Sequence, residues 1–150
     1  FDPIRAIHSS TDLARAHSIA TRLIENEYDD RTTRVLRAAL IIDYARPFTP
    51  REDESPALKL DDLVDDPSPV DVQTHRLLIE GAHKLSRAVS EGASMPWEER
   101  IELLDDLDLS SIRDLIVKLR TSLTVKLYPD TASDTRLLEQ LIGPAGSSSE

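Results

Sequence analysis

The side chains best suited to chemistry lie on one predicted helix, between Thr74 and Gly92. Arg76 and His83 are seven positions apart there, which places them on the same helical face. A cation that stabilises a phosphorane and a base that takes up a 2′-hydroxyl proton are together what metal-independent RNA cleavage needs. The same spacing is also found on ordinary solvated charged faces, so the pair is either a displaced active site or plain surface charge.

The helix that carries these residues is predicted to run from Asp71 to Ser90 and to be amphipathic. One face has side chains recurring at spacings of three and four: His75, Leu78, Ala82, Leu85 and Val89. The opposite face has Arg76, Glu80, His83 and Arg87. We therefore expect the first face to be packed and the second to be exposed.

The segment HRLLIEGAHKLSRAVS, residues 75–90, resembles the long third helix of the HEPN families. A common pattern there is H-x-x-L-I-x-x-R-polar-x-x-x-x-A-H-S, in which the Arg and the His cut RNA. Ala82 stands at the position of that Arg, His83 at the polar position, and Ala88, Val89 and Ser90 at Ala-His-Ser. The motif frame, meaning the other positions of this pattern, is present, but both catalytic side chains are replaced.

The resemblance implies an endoribonuclease activity of the kind found in toxin–antitoxin and phage-defence systems. Because Ala82 and Val89 can supply neither a base nor a cation, we expect the family activity to be lost or greatly reduced. An Ala and a Val sharing a face are also typical of an ordinary buried helix. His75 matches the histidine before the Leu-Ile pair, so a packing or hydrogen-bonding role is expected for it.

A second segment, Ile41 to Thr49 (IIDYARPFT), is similar to the end of the preceding helix in small bacterial HEPN proteins. The resemblance spans Leu13 to Tyr128. It implies RNA, an antitoxin or another protein as partner, and a two-fold homodimer, since HEPN sites are usually clefts between two copies of this helix. The small residues Gly81, Ala82 and Ala88 independently favour close approach of a second helix. Alternatively, the helices predicted at 12–26 and 112–128 cover this surface within the monomer.

Composition narrows the function classes. The chain of 150 residues has a formal charge of −10, a pI near 4.8 and no cysteine. Such charge disfavours broad electrostatic capture of nucleic acid and is compatible with a basic protein partner. The competing function is therefore a non-enzymatic acidic helical module that binds another protein. With no apolar run near the ~20 residues that span a bilayer and no visible signal peptide, we expect a cytoplasmic protein away from membranes, although residues before Phe1 can be missing.

No cofactor or metal site is predicted. His8 and His17 are nine positions apart, and paired acids such as Asp105-Asp106 lack the spacing and glycine of an EF-hand. The glycines are isolated, so no phosphate-binding loop is formed by them, and neither a GxSxG elbow nor a cysteine nucleophile occurs.

Cap residues and helical periodicity predict an all-α, up-and-down bundle of five or six helices in one domain, residues 1–150. The bundle is expected to pack around helices 31–44 and 71–90, with an acidic, proline-containing loop at 50–69 and a disordered tail at 144–150. The other predicted helices begin at Ser10 or Thr11 and end at Asn26, span Trp97–Leu107, run from a cap at Ser110 or Ser111 to Tyr128, and follow a cap at Ser133.

Overall fold

The computed structural model describes residues 2–51, 56–90 and 107–129, together with Arg136 and Gln140. Within those ranges the chain forms helices α1 (Pro3–Glu25), α2 (Asp30–Ala45), α3 (Leu60–Leu63), α4 (Pro69–Ser90) and α5 (Leu109–Leu127), with a 3₁₀ turn at Arg46–Phe48. No strand occurs in the described part of the chain. The predicted all-α bundle is thus confirmed.

Helix α1 begins two turns earlier than predicted. The Asp2 carboxylate accepts hydrogen bonds from the backbone N–H groups of Ile4 and Arg5, and Pro3 occupies the first helical position, where its missing N–H costs nothing. The Thr11 hydroxyl instead donates to the Ile7 carbonyl, 3.3 Å away, as a residue inside a helix can. The expected start at Ser10 or Thr11 is therefore wrong, because both residues lie inside a helix that Asp2 caps.

Helix α2 begins one residue earlier and ends one residue later than the predicted 31–44. The Asp29 carboxylate accepts from the Thr32 N–H at 2.7 Å, which satisfies one of the unpaired donors of the first turn. A proline disfavours helical geometry at the residue before it, but Arg46, which precedes Pro47, keeps φ −55° and ψ −45°. The chain tightens into the 3₁₀ turn there, and the α-helix ends at Ala45.

Helix α5 is also capped earlier than expected, by two or three residues. The Asp108 carboxylate accepts from the Ser111 N–H at 3.2 Å and from the Ser111 hydroxyl at 2.9 Å. Ser111 thus lies in the first turn, and neither it nor Ser110 is the cap. The helix ends at Leu127, one residue before Tyr128 and two before Pro129.

The four long helices form a ring. Helix α1 packs on α2 and α5, and α4 packs on the other sides of α2 and α5. Neighbours run antiparallel: Arg5 near the start of α1 and Lys126 near the end of α5 line one cavity, while Tyr44 at the end of α2 bonds to His75 near the start of α4. The groove between α2 and α4 and the seam between α1 and α5 are therefore on opposite sides of the bundle.

Helix α1, rather than α2 with α4, makes the most extensive contacts. Leu13, Ala16, Ala20 and Leu23, which recur at spacings of three and four, form its buried stripe, and Glu27, which continues that spacing in the sequence, lies beyond the helix. The apolar run from Val35 to Ile42 predicts that α2 is a central helix, yet Val35 and Ile42 are 40% and 42% exposed. Apolar surface on α2 is thus left outside the core.

Several predictions fall on residues 91–106, on most of residues 130–143 and on the tail, all outside the described residues. They are the helix end expected next to Gly92, the helix predicted at Trp97–Leu107, the helix after Ser133 and the disordered tail. In the predicted acidic loop, Leu60–Leu63 form a single helical turn whose two leucines are buried. None of the described helices is long and apolar enough to cross a membrane.

Candidate functional site

An open groove of about 740 Å³ runs between α2 and α4 and continues past the 3₁₀ turn. Val35, Ala38, Ala39 and Ile42 form its α2 wall, and Ala82 and Leu85 form the apolar part of its α4 wall. The remaining lining is the rim: Ala45, Arg46, Thr49, Pro50, Arg51, His83, Ser86 and Ser90. The walls are apolar and the polar groups are at the edge, as in sites that hold an apolar partner.

The positions singled out in the sequence converge on this groove. Ala82 is half-buried in its wall, and His83 and Ser90 are exposed at its rim. Val89 belongs to α4, but its side chain is not among the described ones. Three of the four motif positions thus face the same space.

The two faces predicted for this helix are confirmed. Leu78 and Leu85 are buried, and Arg76, Glu80, His83 and Arg87 are exposed. Arg76 does not line the groove that His83 lines, so the groove does not bring this pair together. Gly81 is buried inside the monomer, which removes it from the small residues available to a second helix.

Behind the groove, three rings fix the junction of α2 and α4. The Tyr44 hydroxyl lies 2.8 Å from Nδ1 of His75, and the Phe48 ring packs edge-on against the imidazole with centroids 4.6 Å apart. Burial, with a smaller effect from Asp71, raises the pKa of Tyr44, and burial lowers the pKa of His75. A neutral phenol can therefore donate to a neutral imidazole. His75 has the packing and hydrogen-bonding role expected for it.

Arg5 holds the turn that borders the groove. Its guanidinium is 1% exposed, and Nη2 donates to the carbonyl oxygens of Arg46, Pro47 and Thr49. The Arg46 and Pro47 carbonyls also accept from the backbone N–H groups of Thr49 and Leu58, so Arg5 adds a second donor to these two and supplies the donor to the Thr49 carbonyl. The long separation in sequence explains why sequence analysis did not single out Arg5.

A charged cluster on the α1–α2 side orients Arg46. Its Nη1 is 3.1 Å from Asp43 and 3.9 Å from Asp12, and Arg15 lies 3.5 Å from Asp12. Burial raises the pKa of Asp43, and the nearby Arg46 opposes that effect. Since Arg46 is held by two carboxylates, its charge is largely balanced before any ligand reaches the groove.

The groove has little chemistry of its own. Among its lining residues, His83 is the one imidazole, and Arg46 and Arg51 are the two guanidinium groups. No group of three or more metal-ligating side chains occurs in the described ranges. The arrangement is suited to binding an apolar surface more than to acid–base catalysis.

Comparison of the chain with family models, with curated proteins and with solved structures gives no match.

Proposed function

We propose that this chain is a HEPN-like helical domain that has lost the family's RNA-cleaving pair and uses the groove between α2 and α4 to bind a second copy of itself. The observation that carries the proposal is the position of Ala82, His83 and Ser90, since three motif positions read from sequence line one groove. In the family that this helix resembles, the corresponding surface is the cleft between two subunits.

The exposed apolar side chains support a protein occupant. Val35 and Ile42 expose about two fifths of their surface on the α2 wall, and the facing wall is Ala82 and Leu85. A helix or helix pair laid in this groove removes that apolar area from water, which favours association. A second copy presents the same groove, so one patch can serve both partners of a two-fold dimer.

The second candidate function is a non-enzymatic acidic module that binds a different protein, an antitoxin among the possibilities. The same exposed walls favour it, and so does the formal charge of −10, which suits a basic partner. The two proposals differ in whether the motif frame has any relation to RNA cleavage.

Restoring the two motif side chains tests that relation. We expect the Ala82→Arg, Val89→His double variant to cleave single-stranded RNA without added metal, and the unchanged chain to leave it intact. The matched control is Glu80→Arg, Arg87→His, which changes the formal charge by the same amount and keeps the spacing of seven on the exposed face of α4.

Cleavage by the first variant alone supports the HEPN-like assignment. If neither variant cleaves RNA while circular dichroism shows both folded, the nuclease ancestry is rejected and the binding module becomes the better account. Equal cleavage by both means that added charge, rather than the motif frame, produces the activity, and this outcome also contradicts the proposal.

A further inference from the structure

On the opposite side of the bundle, α1 and α5 bring together three basic side chains. Arg113 and Arg120 are seven positions apart on α5, which aligns them along one face two turns apart. His17 lies on α1, the helix against which α5 packs, and all three side chains are partly buried. The pKa of His17 is lowered, first by burial and then by the positive charges of Arg120 and Arg113.

This cluster has no carboxylate to balance it within the described residues. Arg15, Arg46 and Lys118 each pair with an aspartate there, whereas Arg113 and Arg120 do not. The Nε atoms of both arginines are buried without a hydrogen-bond partner, and so is the hydroxyl of Thr21, one turn beyond His17 on α1. In a chain with 28 acidic and 18 basic residues, two unpaired arginines on one seam are unusual.

Burying guanidinium groups without an anion costs free energy. The pKa of Arg120 is lowered by burial, which is the direction expected when the charged form loses water and gains no partner. The Nε atoms are closed to solvent, so an oxyanion at this seam would accept from the outer Nη groups of these partly buried side chains and offset the repulsion between their positive charges. Guanidinium groups bind tetrahedral phosphate oxygens bidentately, and an imidazole and a hydroxyl can complete the hydrogen bonds.

We propose that His17, Arg113 and Arg120 form a binding site for a phosphate group, either inorganic phosphate or the terminal phosphate of a phosphomonoester. The site lies across the bundle from the groove between α2 and α4, so it stands independently of the dimer and of any RNA cleavage.

The first test uses the unchanged chain and follows the His17 ring protons by NMR across a pH titration. A phosphate dianion beside the imidazole favours its charged form, so the pKa of His17 should rise in phosphate relative to chloride at equal ionic strength. His8 lies nine residues away on α1, about 13 Å along the helix, and its signal serves as the reference that should respond equally to both salts. An unchanged His17 titration overturns the proposal.

The second test is calorimetric titration with inorganic phosphate and, separately, with AMP. Arg113→Gln, Arg120→Gln should weaken binding at least about tenfold, as expected for loss of two charge-assisted contacts. The control, Arg22→Gln, Arg87→Gln, removes the same charge from exposed positions on α1 and α4 and should bind as the unchanged chain does. Tighter binding of AMP identifies a phosphomonoester as the source, and equal or weaker binding identifies free phosphate.

Equal weakening in both double variants means that total charge alone is responsible, which contradicts the proposal. If neither inorganic phosphate nor AMP binds the unchanged chain, the proposal is also contradicted. If the Arg113 and Arg120 changes unfold the protein, the NMR titration of the unchanged chain decides.

Discussion

At the residue scale, a few side chains carry contacts between segments far apart in sequence. Arg5 is the most deeply buried charged side chain among the described residues, and it joins the start of α1 to the turn after α2. Tyr44, Phe48 and His75 join that same turn to α4. The segment Ile41–Thr49, selected from sequence, is thus a structural junction beside the groove.

Replacing Arg5 by Met tests the importance of that junction. The variant keeps the aliphatic part of the side chain, leaves the Thr49 carbonyl without its donor and removes the second donor to the Arg46 and Pro47 carbonyls, so the free energy of unfolding should fall by about 2–4 kcal/mol. Urea unfolding measures the loss. Arg22→Met, on the exposed side of the same helix, should change stability by less than about 0.5 kcal/mol; an equal loss in both variants contradicts this role of Arg5.

The buried histidine makes stability depend on pH. Because burial lowers the pKa of His75 in the folded protein, its neutral form is favoured there, and the unfolded chain takes up protons more readily. The contribution is fully present above the ordinary histidine value of about 6.5 and is lost as pH falls through the folded value. His17 has a lowered pKa and adds in the same direction.

We expect His75→Asn to flatten the decline of unfolding free energy between neutral pH and about pH 5. Asparagine can still accept from the Tyr44 hydroxyl but does not titrate. His8→Asn, at an exposed position, is the control and should keep the slope of the unchanged chain. A slope that His75→Asn leaves intact rules out His75 as the source.

At the element scale, α4 is tied to both of its neighbours. Its start is fixed to α5 by the Lys118 ammonium, 2.9 Å from Asp71, whose side chain is 8% exposed. Burial raises the pKa of Asp71, but hydrogen bonds from Lys118 and Ser68 outweigh that effect, so the net shift is downward. The carboxylate is therefore charged in the folded protein and depends on these partners.

Removing the cation should loosen α4. Lys118→Met leaves the Asp71 carboxylate with Ser68 alone, and because Lys118 itself is half exposed we expect a loss of about 1–2 kcal/mol in unfolding free energy. Adding Asp71→Asn should recover part of the loss, since no buried charge is then left unpaired. Lys84→Met, exposed on α4, is the control; if it costs as much as Lys118→Met, the ion pair is not what holds the helix.

Helix positions could largely be read from sequence, while the starts of α1 and α5 and the exposed side of α2 could not. The period of three and four predicted the buried sides of α1 and α4 because burial imposes that spacing. The starts of α1 and α5 were misjudged because each segment contains several residues that can cap a helix. Asp2 and Asp108 form the caps instead of the serines and the threonine. The exposure of Val35 and Ile42 depends on how far α4 packs along α2, which no local pattern encodes.

The residues of the candidate sites could likewise be predicted only in part. Ala82, His83 and Ser90 were found from motif spacing, because positions on one helix keep a fixed geometry. Arg5 and the cluster of His17, Arg113 and Arg120 were missed, since each joins helices far apart in the chain. The spacing of seven between Arg113 and Arg120 was the one signal of this cluster that the sequence offered.

At the scale of the whole molecule, the ring of four long helices places an apolar groove and a basic seam on opposite sides. The groove between α2 and α4 is left open by the described residues, although its walls are as apolar as the core beside it. Exposed apolar walls favour a specific occupant in a strongly acidic chain, because the negative charge over the rest of the surface disfavours non-specific association. The central claim is that this occupant is a second copy.

Light scattering at micromolar concentration tests that claim most directly. We expect the unchanged chain to have about twice the monomer mass of 16.8 kDa, and Ile42→Glu, which puts a charge on the groove wall, to have the monomer mass while circular dichroism shows it folded. The control is Ile7→Glu, which charges an isoleucine that is 53% exposed on α1 outside the groove and should remain dimeric. A mass near 16.8 kDa for the unchanged chain, or a dimer that Ile42→Glu leaves intact, contradicts the account.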